Sequence, residues 1–222
     1  MNELNITQQY ENASPEQLLQ GIVKQYPAIA FACSFGAEDV VLLDLLYQQN
    51  FRGDVFFLDT DFHFQATLEL KQRLSERYGS SFLSVKSELT PREQAEHYGE
   101  ELWRRDPNTC CDLRKVRPLQ IFLRNYGAWI TGIRREQSPT RAHAKKIEWD
   151  PKFGLMKINP LVDWTYEQVW QYIRAHQLPY HPLHDQHYPS IGCTHCTRPI
   201  QPGEHARAGR WAGLEKTECG LH

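Results

Sequence analysis

Four short apolar runs, "AIAFACS", "DVFFLDT", "SFLSVK" and "AWITG", alternate along the chain with stretches of helical period. The runs are short, continuous and rich in residues that suit buried parallel strands. Between them, "EDVVLLDLLYQQ" and "ATLELKQRLSERYG" repeat apolar residues at helical spacing, and the second ends in a glycine suited to a helix C-terminus. "SPEQ", "TPRE" and "TYEQ" each put Ser14, Thr90 or Thr165 three residues before Gln or Glu, which predicts three capping boxes, two of them with proline at the first helical position. Alternating strands and helices of this kind predict a layered α/β fold with a mainly parallel sheet.

From Pro179 onward the pattern stops. "PYHPLHDQHYPSIGCTHCTRPIQPGEHARAGRW" is rich in Pro, Gly and His, has no sustained period and is too long for an idle connection. The chain therefore reads as an α/β domain over residues 1–178, with an irregular functional segment over 179–222 packed on it. No internal repeat or low-complexity tract interrupts either part.

Composition adds exclusions. A chain of 222 residues can bury a core without staples, and a formal charge of −2 gives no global field to draw in nucleic acid. No apolar run approaches the length of a membrane span, so neither nucleic acid nor membrane is an expected partner. The polar, acidic start "MNELNITQQYENASPEQLL" does not resemble a secretory signal, and a cytoplasmic location is expected. In a reducing compartment six cysteines point to metal or catalysis rather than structural disulfides. They fall at Cys33, at adjacent Cys110 and Cys111, at Cys193 and Cys196 in C-x-x-C spacing, and alone at Cys219.

"SFGAED", Ser34 to Asp39, leaves the first strand and opens a helix. A glycine-containing turn there lets backbone N–H groups face an anion at the carboxyl edge of the sheet; the alternative is a capped strand-to-helix turn. "LDTD", Leu58 to Asp61, ends the second strand at the same edge. "GIRREQSPTR" places Arg134, Arg135 and Arg141 after the fourth strand, a set suited to a multiply charged anion, with a solvent-exposed basic loop as the alternative. "RAGRW" adds Arg207 and Arg210.

Cys110, Cys111, Cys193 and Cys196 supply four thiolates, enough to close a zinc or an iron–sulfur site. Adjacent cysteines suit tetrahedral zinc poorly, whereas a cluster with separated iron corners takes them more easily. Arg114, Lys115 and Arg117 follow the first pair and would offset its charge. His181, His184 and His187 in "HPLHDQH" suggest metal at first sight, but the prolines and tyrosines around them favour an irregular packed loop. Cys33, inside an apolar strand, reads as a small buried hydrophobe.

Taken in order, "SFGAED", "LDT", "NTCCDLRKVRPL", "RREQSPTR", "PYHPLHDQHYPSIGCTHCTRP", "GRW" and "TECGLH" closely resemble the assimilatory adenylyl-sulfate reductases. The resemblance runs from about residue 30 to the last residue. It implies a Rossmann-like, adenine-nucleotide-binding fold of the PP-loop ATP pyrophosphatase type, and reduction of adenosine 5'-phosphosulfate (APS) to sulfite and AMP. It also implies a [4Fe-4S] cluster on Cys110, Cys111, Cys193 and Cys196, Cys219 as nucleophile, and thioredoxin or glutaredoxin as electron donor. By the same resemblance Ser34, Gly36 and Asp39 belong to the nucleotide loop, Gly132 lies near the adenine, and Lys115, Arg141, Arg207 and Arg210 surround the phosphosulfate and cluster.

Many members read L-D-T-G after the second strand, where this chain has Asp61. Relatives specialised for the 3'-phosphorylated nucleotide (PAPS) lack the four cluster cysteines, so the unphosphorylated substrate is expected, with PAPS or dual use as the alternative. PP-loop ligases and tRNA-thiolating enzymes are a more distant alternative, since they usually carry S-G-G-x-D-S. A non-enzymatic zinc module leaves the cationic groups without a role. A homo-oligomer is compatible with all of these readings.

Overall fold

Alternate residues of the apolar runs bury toward opposite faces of one sheet. Ile29 and Phe31 of β1 (Ile29–Ala32) enter one core while Ala30 enters the other. Val55 and Phe57 of β2 (Asp54–Asp59) likewise oppose Phe56. Strands β3 (Leu83–Lys86) and β4 (Ala128–Ile130) complete the expected set. Two further strands, β5 (Ile147–Asp150) and β6 (Leu155–Ile158), were not anticipated. The order is β3-β2-β1-β4-β6-β5, parallel throughout except for the antiparallel β5–β6 edge. The computed structural model describes residues 3–221, and His222 of the "TECGLH" motif lies outside them.

The helices in chain order are α1 (Glu3–Tyr10), α2 (Pro15–Gln25), α3 (Ala37–Gln48), α4 (Gln65–Tyr78), α5 (Pro91–Tyr98), α6 (Leu102–Arg105), α7 (Pro107–Cys111), α8 (Arg117–Leu123) and α9 (Tyr166–Ala175). All three capping boxes form, on Ser14, Thr90 and Thr165, with Pro15 and Pro91 at the start of their helices. Gly79 ends α4 in the left-handed conformation that favours glycine, at φ 60°. Helices α2, α3, α4 and α9 cover one face of the sheet, and α8 covers the other through Leu119 and Leu123. Buried Asp44 of α3 ties the first layer together, accepting hydrogen bonds from Tyr78 of α4 at 2.7 Å and Tyr172 of α9 at 2.9 Å.

Strand order reverses between β1 and β4. From β1 the chain proceeds outward to β2 and β3, whereas β4 pairs on the other side of β1. In a doubly wound sheet this reversal parts the loops leaving the two central strands and opens a crevice at their carboxyl ends. Over residues 179–221 regular structure is confined to the short 3₁₀ turns Pro182–Gln186 and Thr194–Cys196 and one bridge, Thr197 to Arg210. Among the described residues no helix is long and apolar enough to cross a membrane.

Candidate functional site

The crevice at the strand reversal holds a cavity of about 570 Å³, within the range of small-ligand sites. The Ser34 to Asp39 loop after β1 and the Thr131 to Arg134 loop after β4 line it from the sheet. Cys193, Arg207, Arg210 and Cys219 line it from the C-terminal segment.

In the loop after β1, Asp39 reaches back to accept from Ser34, whose backbone N–H lies at 2.6 Å and hydroxyl at 2.5 Å from one carboxylate oxygen. The left-handed residue in this turn is Phe35, at φ 63°, rather than Gly36, which caps α3 at an ordinary φ of −70°. Gly132 is required for a different reason: a Cβ there would lie 2.1 Å from Asp39 Oδ1. The adjoining loops after β1 and β4 therefore pack directly on each other through Asp39. Burial is the main cause that pushes the Asp39 carboxyl up to about 7, against the hydrogen bonds from Ser34.

Asp61 occupies the left-handed region at φ 61°. The aspartate is retained by its partners. Its carboxylate accepts from Arg114 Nη1 at 2.8 Å and pairs with Lys86 Nζ at 2.9 Å. The Arg114 side chain is 1% exposed and also donates from Nε to Gln94 at 2.7 Å. Asp61 thus answers a charge that the interior cannot leave alone.

The same loop meets the cysteines. Thr194 N–H donates to the Phe62 carbonyl at 2.8 Å, and Cys193 Sγ to Thr60 Oγ1 at 3.4 Å. Cys110, Cys111, Cys193 and Cys196 line one small pocket with Trp103 and His195, whose rings stack at 4.1 Å. Cys110 and Cys111 end α7, and a π-helical turn, Asp112–Val116, carries the chain directly into α8. Successive helical residues point about 100° apart, so the adjacent pair reaches two separate positions. Burial first, then the charges of the other three cysteines, push the Cys110 thiol up to about 12. Among the described residues no three of His, Cys, Asp and Glu stand close enough to share one metal ion.

Of the three basic residues after the pair, only two serve the site. Arg117 is exposed and paired with Asp112 at 2.6 Å, because its position on the helix faces solvent. Lys115 lines both pockets. Burial acts against its charge, but Cys193, Cys219 and Cys111 together raise its pKa above the usual lysine range.

The arginines of "RREQSPTR" separate. Arg134 is held by Glu38 at 2.8 Å and Glu136 at 2.7 Å, and Arg135 by Asp163 away from the cavity. Arg141 lines the cavity, yet its fork grips Glu218. Arg207 also donates to Glu218, at 3.0 Å. Arg210 packs over the Trp211 ring at 4.5 Å and donates to the Ile191 carbonyl at 3.3 Å. The Nε atoms of Arg207 and Arg210 are buried with no hydrogen-bond partner among the described residues. "GRW" returns to the cysteines because Trp211 N–H donates to the Cys196 carbonyl at 3.0 Å.

Partial burial alone would raise the Cys219 thiol, but Lys115, the Leu221 backbone, Arg210 and Arg141 outweigh it and hold the thiol below the usual cysteine range. Cys33 is buried as expected, at 1% exposure. His181 is spent on packing: one ring nitrogen meets Thr67 Oγ1 at 2.9 Å and the other accepts from Leu183 N–H at 3.2 Å. Glu218 was not singled out from the sequence, where an acidic residue beside a cysteine carries no distinguishing signal.

The fold and this cavity define an α/β protein with a crevice of nucleotide size at its strand reversal and a thiol of lowered pKa on the wall. The family model of the phosphoadenosine phosphosulfate reductase domain matches residues 28–199. An adenosine 5'-phosphosulfate reductase of Shouchella clausii (strain KSM-K16) is 55% identical over 195 residues, 87% of this chain and 81% of the relative. The crystal structure of phosphoadenylyl-sulfate reductase from Candida auris, a phosphate complex, aligns at TM-score 0.77 and 29% identity over 87% of this chain and 94% of that one. Candida glabrata FMN adenylyltransferase shares the fold, at TM-score 0.59 and 19% identity over 89% of this chain and 70% of that one. The chain belongs to the phosphoadenosine phosphosulfate reductase domain family.

Two outcomes test this geometry. Asp39 in the fold titrates near 7 against an ordinary value of 3.8, so the native state holds a proton that the unfolded chain has lost, and stability falls as pH rises between those values. Asp39→Asn lacks this dependence. Its stability relative to wild type, read from urea midpoints at about pH 5 and pH 8, should improve with pH by on the order of 1.4 kcal/mol per unit up to pH 7; a constant difference would show that the carboxylate is ionised throughout. For Asp61→Gly, relief of the left-handed backbone offers about 1 kcal/mol, while the orphaned Arg114 charge costs about 3–5 kcal/mol. Urea denaturation should therefore show a net loss of about 2 kcal/mol or more, and a stabilised variant would contradict the role given to the ion pair.

Proposed function

We propose that this chain reduces adenosine 5'-phosphosulfate to sulfite and AMP in sulfate assimilation, the reaction for which its relatives are named. The observation that carries the reading is the Cys219 thiol on the cavity wall beside Lys115 and Arg210, with its pKa lowered by their charge. The substrate's sulfuryl group is joined to phosphate as a mixed anhydride. The Cys219 thiolate attacks sulfur, the bond from sulfur to the bridging oxygen breaks, and AMP leaves with that electron pair, its charge answered by the cationic wall. The product is a Cys219 S-sulfonate.

A second thiol must complete the reduction. It attacks the Cys219 sulfur and sulfite leaves, carrying the electron pair of the sulfur–sulfur bond; a further thiol then resolves the mixed disulfide and is oxidised with its partner. Cys33 is buried and Cys110, Cys111, Cys193 and Cys196 are assigned to the cluster described below, so we assign both electrons to an external dithiol protein of the thioredoxin or glutaredoxin type. We assign residues 1–178 to nucleotide binding and 179–222 to cluster binding and catalysis, in a cytoplasmic enzyme.

The donor set of the second pocket fits a [4Fe-4S] cluster: four cysteines line one space, the number of thiolates such a cluster takes. Cys110, Cys111, Cys193 and Cys196 would hold it. When bound, such a cluster supplies fixed geometry and local charge, to which Lys115 responds by staying ionised near the substrate. A second reading, preference for the 3'-phosphorylated nucleotide, has no specific observation in its favour.

Two experiments test the function. Substrate added without reductant should give a Cys219 sulfonate by intact-protein mass spectrometry with stoichiometric AMP, and a higher kcat/KM for APS than for PAPS once thioredoxin is supplied. Cys219→Ser forming the same adduct would remove the tail cysteine from the chemistry, and a reversed nucleotide preference would move the assignment to PAPS. Separately, protein purified without oxygen should contain iron and acid-labile sulfide in similar amounts, lost when any one of the four cysteines becomes serine; stoichiometric zinc would overturn the cluster.

A further inference from the structure

The loop read from sequence as an anion grip holds an anion that the chain itself provides. Glu218 Oε1 accepts from Ser138 Oγ at 3.0 Å, Thr140 Oγ1 at 3.1 Å and Arg141 Nε at 2.9 Å. Glu218 Oε2 accepts from Arg141 Nη2 at 2.8 Å and Arg207 Nη2 at 3.0 Å. The carboxylate is 11% exposed and the two guanidinium side chains 9% and 14%. A surface ion pair contributes little, but this one is largely removed from water, bidentate on Arg141, and completed by two hydroxyls.

Glu218 immediately precedes the thiol. On its other side Lys152 Nζ donates to the Gly220 carbonyl, and Leu221 packs against the apolar cluster on the α8 face of the sheet. The chain on either side of Cys219 is thus fastened, and Glu218 makes most of the side-chain bonds that do so. Arg207 and Arg210 keep unpartnered Nε atoms, so the bonds to Glu218 do not exhaust the cationic donors of the cavity.

We propose that Glu218 is the positioning residue of the tail: its bonds to Arg141, Arg207, Ser138 and Thr140 hold the Cys219 sulfur at the cavity, and the tail leaves for its reductant only when they break. The carboxylate also fixes two guanidinium groups, of Arg141 and Arg207, that would otherwise repel. Burial and then Arg141 push Arg207 down to about 10, and Glu218 opposes that shift. The latch rests on the reading of Cys219 as nucleophile only for its consequence in turnover; its existence can be tested without substrate.

The test uses the cluster-loaded protein, with alkylation of Cys219 by iodoacetamide followed by peptide mass spectrometry. Glu218→Ala should speed labelling of Cys219 roughly tenfold or more, because the tail then spends more time away from the cavity. Glu218→Gln, which keeps shape and loses charge, should fall between, and Glu218→Asp should restore much of the protection. AMP affinity should change by no more than about threefold, while single-turnover formation of the Cys219 adduct slows by roughly tenfold. Unchanged labelling in Glu218→Ala and Glu218→Gln would overturn the proposal. So would unchanged labelling with AMP bound about tenfold more tightly, which would make Glu218 an occupant of the ligand's own site. Faster labelling in a protein that forms no adduct from APS would sustain the latch and refute the reductase assignment, so the two readings fail separately.

Discussion

Cations held together out of water must be answered by anions, and the arrangement of this molecule follows from that requirement. Lys115, Arg141, Arg207 and Arg210 line one cavity in a chain whose net charge is only −2. Arg141 and Arg207 are matched by Glu218, the cysteines around Lys115 favour its charge, and Arg210 is held by the Ile191 carbonyl and the Trp211 ring. Arg134 and Arg114, beside the same crevice, are matched by Glu38 and Asp61. Arg207 and Arg210 line a space of nucleotide size, and their Nε atoms are buried without a hydrogen-bond partner among the described residues. A phosphosulfate entering there meets cations that are already oriented, and needs little reorganisation to have its charge held as AMP departs.

The backbone supplies the convergence. Parallel strands deliver the loops after β1, β2 and β4 to one edge, and the reversal between β1 and β4 parts two of them. Asp39 against Gly132 locks the loops after β1 and β4, and Asp61 with Arg114 ties the loop after β2 to the π turn that follows Cys110 and Cys111. A change in that pair therefore reaches both the nucleotide edge and the cysteine pocket. An aspartate in the left-handed region, a backbone penalty by itself, is explained by a charge that only the folded chain brings near.

Strands β1, β2 and β4 were legible because strands buried on two faces read as apolar runs, β3 at the sheet edge by a shorter run around buried Val85, and α2, α5 and α9 were marked by capping boxes. Strands β5 and β6 were not, because Glu148 and Lys157 sit opposite each other in the antiparallel register and pair at 3.6 Å, which gives two short strands the look of a charged loop. The five cysteines that line the two pockets besides Cys33, and the cationic motifs, could be read as residue types in fixed order. Which arginine serves which anion could not: Arg134, Arg135 and Arg141 are near neighbours in sequence, yet they pair with Glu38, Asp163 and Glu218, from distant parts of the chain.

The tail has to meet two opposed demands, and the magnitudes show how it can. Ordering residues 217–221 costs about 1–2 kcal/mol per residue in backbone freedom, so a tail without a latch would rarely present its thiol to the cavity. The bonds to Glu218 are charge-assisted, worth about 1.5–3 kcal/mol apiece and less than additive because they share one carboxylate. The two totals overlap, so docking of the tail is decided by a difference between opposing terms of similar size. A deeper anchor, such as an aromatic side chain in the main core, would tie the tail to the sheet. A polar latch instead permits local opening without disturbing the sheet. On the reaction proposed above, that opening is what would let one thiol serve first the cavity and then an external dithiol.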